Sequence, residues 1–136
     1  MDKKDSVIHI RRFILLDELT KSDKGKLEGN ISYGLQNPTD RSFTKWNGSI
    51  ITDEGRFYEL SIITGPSYPV NPPSIQFKSK VNMPSVNQSN GLVDFNKVSG
   101  LKKWNSDMRI ETCLLALKEE IKKYKGHKQP AEGETY

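Results

Sequence analysis

Three short segments alternate apolar and polar residues with a period of two: Ile31, Tyr33 and Leu35; Trp46, Gly48 and Ile50; Tyr58, Leu60 and Ile62. Period two sends successive side chains to opposite faces of a pleated strand, so each segment reads as a strand with one buried side. Turn residues separate them, Asn37-Pro38-Thr39-Asp40 and Thr52-Asp53-Glu54-Gly55, which predicts an antiparallel meander with one face on the core. A fourth strand is expected around Ile75 to Lys78. The stretch before it carries prolines at 66, 69, 72 and 73. Proline removes a backbone donor and fixes φ, so this link is a rigid extended connection rather than a central strand or a helix interior.

Helical spacing flanks the meander on both sides. Between Ile8 and Lys21 the residues Leu15, Leu16 and Leu19 recur as a helical stripe, and Ser22-Asp23-Lys24-Gly25 supplies the stop. Phe13 lies about 110° from the centre of that stripe, off its expected core face. A second helix is expected from Ser106 or Asp107, either a good N-cap, with Ile110, Leu114, Leu117, Ile121 and Tyr124 on one side and Gly126 at its end. Residues 82–100 are dense in Pro, Gly, Asn and Ser and predict an irregular loop, of a length that in compact domains is usually functional or inherited from a function. The class is α+β: N-terminal helix, four-stranded antiparallel meander, long loop, C-terminal helix. At 136 residues the chain makes a single domain, 1–136, large enough to bury a core without staples. Residues 1–6 and 127–136 are expected to be flexible or peripheral, since the tail around Gln129 and Pro130 is too polar to pack much.

Charge and composition exclude several functions. The net charge is +4, from 21 basic and 17 acidic residues, but the lysines are scattered. Their densest group, Lys118, Lys122, Lys123, Lys125 and Lys128, shares its helix with Glu119 and Glu120 and reads as a solvated face. No basic patch interleaves with aromatics as nucleic-acid binding prefers. No apolar run approaches the roughly 20 residues that cross a bilayer. The opening residues lack the apolar core of a secretory signal, and one cysteine builds no disulfide framework, so the cytoplasm or the nucleus is expected. His9 and His127 have no partner at catalytic or metal-ligand spacing and are expected at the surface. No metal and no cofactor is expected.

The order of elements, with Tyr68-Pro69-Val70-Asn71-Pro72-Pro73 and Lys80-Val81-Asn82-Met83-Pro84-Ser85-Val86, resembles the ubiquitin-conjugating fold from about residue 7 to 136. Where that family has His-Pro-Asn this chain has Met83-Pro84-Ser85. Where it has its catalytic cysteine this chain has Asp94. More narrowly the chain is similar to the ubiquitin-conjugating enzyme variants, whose members keep the fold without the cysteine. The matching words are Arg12-Phe13-Ile14-Leu15-Leu16-Asp17-Glu18-Leu19, Ser32-Tyr33-Gly34-Leu35, Thr44-Lys45-Trp46-Asn47-Gly48, Lys80-Val81-Asn82-Met83 and the closing Glu132-Gly133-Glu134-Thr135-Tyr136. The variants usually carry a longer, proline-containing turn where this chain crosses with Thr52-Asp53-Glu54-Gly55-Arg56-Phe57.

Conjugation needs a thiolate to take ubiquitin's C-terminus and a nearby amide to steady the oxyanion. A carboxylate at 94 forms only an anhydride too short-lived in water to serve as a carrier, and Ser85 has neither the reach nor the amide of asparagine. Cys113, between Ile110 and Leu117 at helical spacing, falls on or beside the core stripe, where a thiol stays protonated. The resemblance therefore implies a non-catalytic subunit that partners an active conjugating enzyme in making non-degradative polyubiquitin chains, expected in DNA damage tolerance, with a RING-type ligase reached through the partner. It implies that Phe13 inserts into a pocket on that enzyme, with Arg11 and Asp17 beside it as rim ion pairs. Parity along the meander points Ser32, Asn47, Ser49, Phe57 and Ser61 outward, and the resemblance implies that Ser32, Ser49 and Phe57 hold the acceptor ubiquitin. Tyr68-Pro69, Pro72-Pro73, Trp46 and Trp104 are assigned to structure. The alternative is a sorting adaptor of the same cysteine-less fold, binding ubiquitin and short peptide motifs without a conjugating partner.

Overall fold

The computed structural model describes residues 3–136, and side chains from Ile10 onward, so the surface assignment of His9 lies outside the described side chains. The element order is α1 (Lys3–Asp23), β1 (Ile31–Leu35), β2 (Lys45–Ile51), β3 (Phe57–Ile63), β4 (Ser74–Phe77), a single 3-10 turn (Phe95–Lys97) and α2 (Ile110–Lys123). The four strands pair antiparallel in sequence order. Their register places Tyr33 opposite Gly48, Trp46 opposite Ile62, Ile50 opposite Tyr58 and Leu60 opposite Phe77. The period-two residues expected inward are buried, apart from a half-buried Leu35, and α2 lays Ile110, Cys113, Leu114, Leu117 and Ile121 against them. Gly48 permits that approach, because a Cβ there would lie 2.9 Å from Ile62 and 3.6 Å from Leu114.

α1 is longer than expected, and its buried face is rotated by about 80° from the expected stripe. Leu15 is buried and Leu19 and Ile14 pack half-buried against the core, but Leu16 is exposed and two charged residues, Arg11 and Glu18, complete the buried side. Arg11, expected beside Phe13 as a rim ion pair, is only 8% exposed. Its Nε donates to the Gly65 carbonyl at 2.8 Å, its Nη1 to that of Ser42 at 2.8 Å, and its Nη2 to those of Thr64 at 2.9 Å and Phe43 at 3.4 Å. The guanidinium thus gathers turn carbonyls from two loops, and for that of Thr64 it is the only donor among the described residues. Two turns further along the helix, the Glu18 carboxylate accepts from the Ile110 backbone N–H at 2.7 Å and from the Tyr68 hydroxyl at 2.7 Å. Ser22 Oγ donates to the Tyr33 carbonyl and accepts from its N–H, satisfying the free edge of β1.

α2 begins at Ile110, later than Ser106 or Asp107. Its first N–H groups are met by Glu18 from α1 and by no side chain of its own N-cap, Arg109. A cap borrowed from a residue 92 positions earlier has no local signal. Glu120, expected on the solvated face, turns inward and is buried. Lys122, Lys123, Lys125 and Lys128 do lie at the surface, whereas Lys118 is half-buried and donates to the Gly29 carbonyl at 2.6 Å; Lys118 and Lys122 also reach Asp53 of the β2–β3 turn at 3.4 and 3.8 Å, and Lys125 reaches Glu54 at 3.8 Å.

Residues 127–136, expected to pack little, are tied down. The Lys80 N–H donates to the Glu134 carbonyl at 2.8 Å, the Tyr136 N–H to the Lys78 carbonyl at 3.1 Å, and the Tyr136 hydroxyl is shared with the N–H and carbonyl of Val81. Arg56 Nη2 donates to the Pro130 carbonyl. Gly91, at φ 82°, lets the loop pass beneath Tyr136, since a Cβ there would meet the Phe77 carbonyl at 2.2 Å. No described helix is long and apolar enough to cross a membrane.

Candidate functional site

The candidate residues fall in three places: an open groove beside Ser85 and Asp94, the outer side of α1, and the outer face of the sheet. The groove is about 650 Å³ and open, walled by Pro72, Pro73, Ser85, Leu92, Asp94 and Phe95. The Asp94 N–H donates to the Ser85 carbonyl at 2.8 Å, so positions 85 and 94 are neighbours across the loop. Neither side chain is arranged for acyl transfer. Asp94 Oδ1 accepts from the Asn96 N–H at 3.0 Å and caps the 3-10 turn. Ser85 is buried, and its Oγ has no hydrogen-bond partner among the described residues. Cys113 sits in the core with no exposure, and burial, reinforced by the nearby Glu18, pushes its thiol pKa well above the ordinary value. A nucleophile must be a thiolate and must reach its substrate; Cys113 is neither ionised nor accessible.

On α1 the residues turned away from the protein are Ile10, Phe13, Leu16 and Asp17, with Phe13 73% exposed. Taking the buried side as Arg11, Leu15 and Glu18, Phe13 lies about 190° away and points straight out. Three large apolar side chains thus project at a spacing of three residues, with Asp17 on the next turn, four positions beyond Phe13. Arg11 has no part in this face. Ile10 and Leu16 were not among the expected contacts, although their spacing to Phe13 is visible in the sequence.

On the outer sheet face, Ser32 and Ser49 are directly opposite in register, and their hydroxyls lie 2.5 Å apart. One outward position further along β2 is Ile51, opposite Phe57 on β3; the two are 40% and 41% exposed. Ser32, Ser49 and Phe57 are therefore brought onto one patch, while Phe13 and Asp17 share a separate one. Asn47 faces outward with them and Ser61 is half-buried. Ile51 was missed, though its parity with Ser49 places it on this face.

The shortened turn after β2 is self-contained. The Thr52 N–H donates to the Arg56 carbonyl at 2.9 Å, Gly55 takes φ 86°, and the acidic residues at its tip face the lysines of α2. Arg56 lies over the Tyr58 ring at 5.2 Å.

Among known proteins, the family model described as ubiquitin-conjugating enzyme matches residues 15–136. The ubiquitin-conjugating enzyme variant MMS2 of Saccharomyces cerevisiae is 43% identical over 135 residues, which cover 93% of this chain and 96% of that protein. Ubiquitin-conjugating enzyme E2 variant 1D of Arabidopsis thaliana is 37% identical over 138 residues, 96% of this chain and 94% of its own. Ubiquitin-conjugating enzyme spm2 of Schizosaccharomyces pombe is 38% identical over 133 residues, 93% and 96%. Among solved structures, human ubiquitin-conjugating enzyme E2 G1 superposes with a TM-score of 0.68 over 82% of this chain and 93% of its own at 22% identity, a likeness of fold. With the fold, the neighbouring positions 85 and 94 and the buried thiol in place, the chain belongs to the ubiquitin-conjugating enzyme family, as one of its variants without the catalytic cysteine.

Proposed function

We propose that this chain is the non-catalytic half of a heterodimer with an active ubiquitin-conjugating enzyme, and that it holds an acceptor ubiquitin so that one lysine faces the partner's thioester. The product is non-degradative polyubiquitin, made in the cytoplasm and nucleus in the service of DNA damage tolerance, with any RING-type ligase engaged through the partner. Similarity along nearly the whole chain to named conjugating-enzyme variants favours this over a sorting adaptor.

The observation that carries the reading is the outer face of α1. A helix that turns Arg11 and Glu18 inward and Ile10, Phe13 and Leu16 outward leaves an aromatic anchor unused by its own fold. Such an anchor, flanked by Asp17, suits a pocket on a partner. Ser32, Ser49 and Phe57 then receive the acceptor; small hydroxyl residues admit close approach and Phe57 supplies apolar contact. Holding both reactants makes the lysine's attack effectively intramolecular, which is where the catalytic gain lies.

The test is reconstitution. An active conjugating enzyme mixed with this chain, activating enzyme, ATP and ubiquitin forms free chains that neither subunit forms alone. Phe13→Ala lowers partner affinity at least about 30-fold and abolishes chain formation, with the melting temperature unchanged because the ring is exposed. Unimpaired synthesis by Phe13→Ala overturns the anchor assignment.

A further inference from the structure

The outer sheet face carries one feature that the acceptor reading has not used. Continuing the row Ser32, Ser49 across the sheet, the residue opposite Ser49 on β3 is Glu59. It is exposed, and among the described residues its carboxylate has neither an ion pair nor a hydrogen bond, although its backbone is fully engaged. Its N–H donates to Ser79 Oγ at 2.9 Å, and its carbonyl accepts from the N–H groups of Lys78 and Ser79 at 2.8 and 3.3 Å. The position is held firmly while the charge is left free.

The surroundings make that charge conspicuous. The neighbouring outward positions on the inner strands are Asn47, Ser49, Ile51, Phe57 and Ser61, none of them charged. Glutamate is a poor strand former in the interior of a central strand, so nothing in local propensity asks for it there. Register sets the distances: facing residues on adjacent strands are about 5 Å apart, and successive outward positions about 7 Å apart. Glu59 therefore sits against Ser49 on one side and within one outward step of Phe57 along β3. On its other side Glu59 faces Lys78, the residue after β4, whose N–H bonds the Glu59 carbonyl and whose exposed ammonium closes no ion pair with the carboxylate.

Resting on the acceptor reading above, we propose that Glu59 is a specificity-determining residue of the acceptor surface, pairing with a cationic side chain that the acceptor carries beside its shallow apolar patch, while Ile51 widens the apolar contact made by Phe57. A hydroxyl pair that admits close approach, an apolar pair one step away and an unpaired carboxylate beside Ser49 and Phe57 make a three-point surface. The apolar pair gives contact area, and the carboxylate rewards one orientation of the acceptor and penalises those that bring an acidic rim to it. That is what choosing among several lysines requires, since the choice is one of orientation.

The experiment uses the heterodimer with ubiquitin as acceptor and compares Glu59→Gln, Glu59→Lys and Phe57→Ala. Glu59→Gln raises the KM for acceptor about threefold and Glu59→Lys about tenfold, with kcat for the correct linkage little changed. Both effects shrink at about 0.5 M salt, where exposed charges are screened. Partner affinity, measured by calorimetry, is unchanged in all three variants. Loss of linkage selectivity in Glu59→Lys, read by mass spectrometry of the chains, supports the orienting role directly. If both Glu59 variants keep the wild-type KM, salt dependence and linkage while Phe57→Ala raises KM, the proposal is overturned and the acceptor surface stands. If Phe57→Ala is silent as well, the acceptor surface itself is misplaced.

Discussion

At the scale of single residues, the most consequential side chain is one that no local rule singles out. Glu18 is buried, joins α1 to the N-terminus of α2 and to Tyr68, and has its pKa raised from 4.5 to about 7. Burial causes the rise, opposed by the hydrogen bonds from Tyr68 and Ile110. A carboxyl whose folded pKa lies above its unfolded value binds its proton more tightly in the native state. Its stabilising contribution is therefore full below about pH 4.5 and is lost as pH rises through about 7. At about 1.4 kcal/mol per unit of pKa the contribution is on the order of 3 kcal/mol. Urea unfolding of wild type and Glu18→Gln at pH 5 and pH 8 should show the wild type losing one to three kcal/mol, roughly, relative to the variant across that interval. Parallel pH profiles would remove Glu18 as the cause. Asp94 makes the complementary point: its carboxylate is spent on capping a turn.

At the scale of elements, the two helices differ in how they are held. α2 follows the apolar stripe that the sequence displays, and Ile110, Leu114, Leu117 and Ile121 are buried as spaced. α1 is fastened by the hydrogen bonds of Arg11 and Glu18 as well as by Leu15 and its half-buried neighbours Ile14 and Leu19, which leaves Ile10, Phe13 and Leu16 free to face outward. Hydrophobic periodicity detects apolar faces only, which is why Leu16 was expected inside and Arg11 outside. This separation of fastening from docking has a measurable consequence. Arg11→Ala strands the carbonyl of Thr64 and takes one donor from those of Gly65 and Ser42, and should cost about 1–3 kcal/mol in urea or thermal unfolding. Arg11→Lys should recover little of that, since an ammonium cannot span the same fork of acceptors. A variant that melts as wild type would refute the clamp. Partner binding by Arg11 variants should fall only where α1 itself is loosened, in contrast to Phe13→Ala.

At the scale of the whole molecule, the frame keeps two exposed patches in fixed relation. α1 is locked to the loops before β2 and after β3 by Arg11, and to α2 by Glu18, while α2 packs on the inner face of the same sheet whose outer face carries Ser32, Ser49 and Phe57. Positioning one reactant against another tolerates displacements of only about an ångström, and such a frame supplies that tolerance. The C-terminal residues contribute, because Glu134 and Tyr136 brace the chain between Lys78 and Val81. Removing residues 131–136 should lower stability by about 1–3 kcal/mol, read as a fall of several degrees in Tm. An unchanged Tm would mean that the tail rests on the fold without supporting it.

What the residues alone determined was everything set by short spacing: the period-two strands and their inward and outward sets, the rigid proline link, the stripe of α2 and the place of the thiol on it; that Asp94 stands where a nucleophile belongs was implied by the resemblance to a family. Strand parity is dictated by backbone geometry within a few residues, so it survives any tertiary arrangement. The three-dimensional packing decided which side of α1 is buried, where α2 starts, that the tail is bound, and that Glu59 lies unpaired beside Ser49 and Phe57. Each of these depends on a partner far along the chain, Glu18 with Ile110, Arg11 with Gly65, Tyr136 with Val81. Hydrogen bonds closed over such separations leave no periodic trace in the sequence, because their energy arises only once the chain has brought donor and acceptor together.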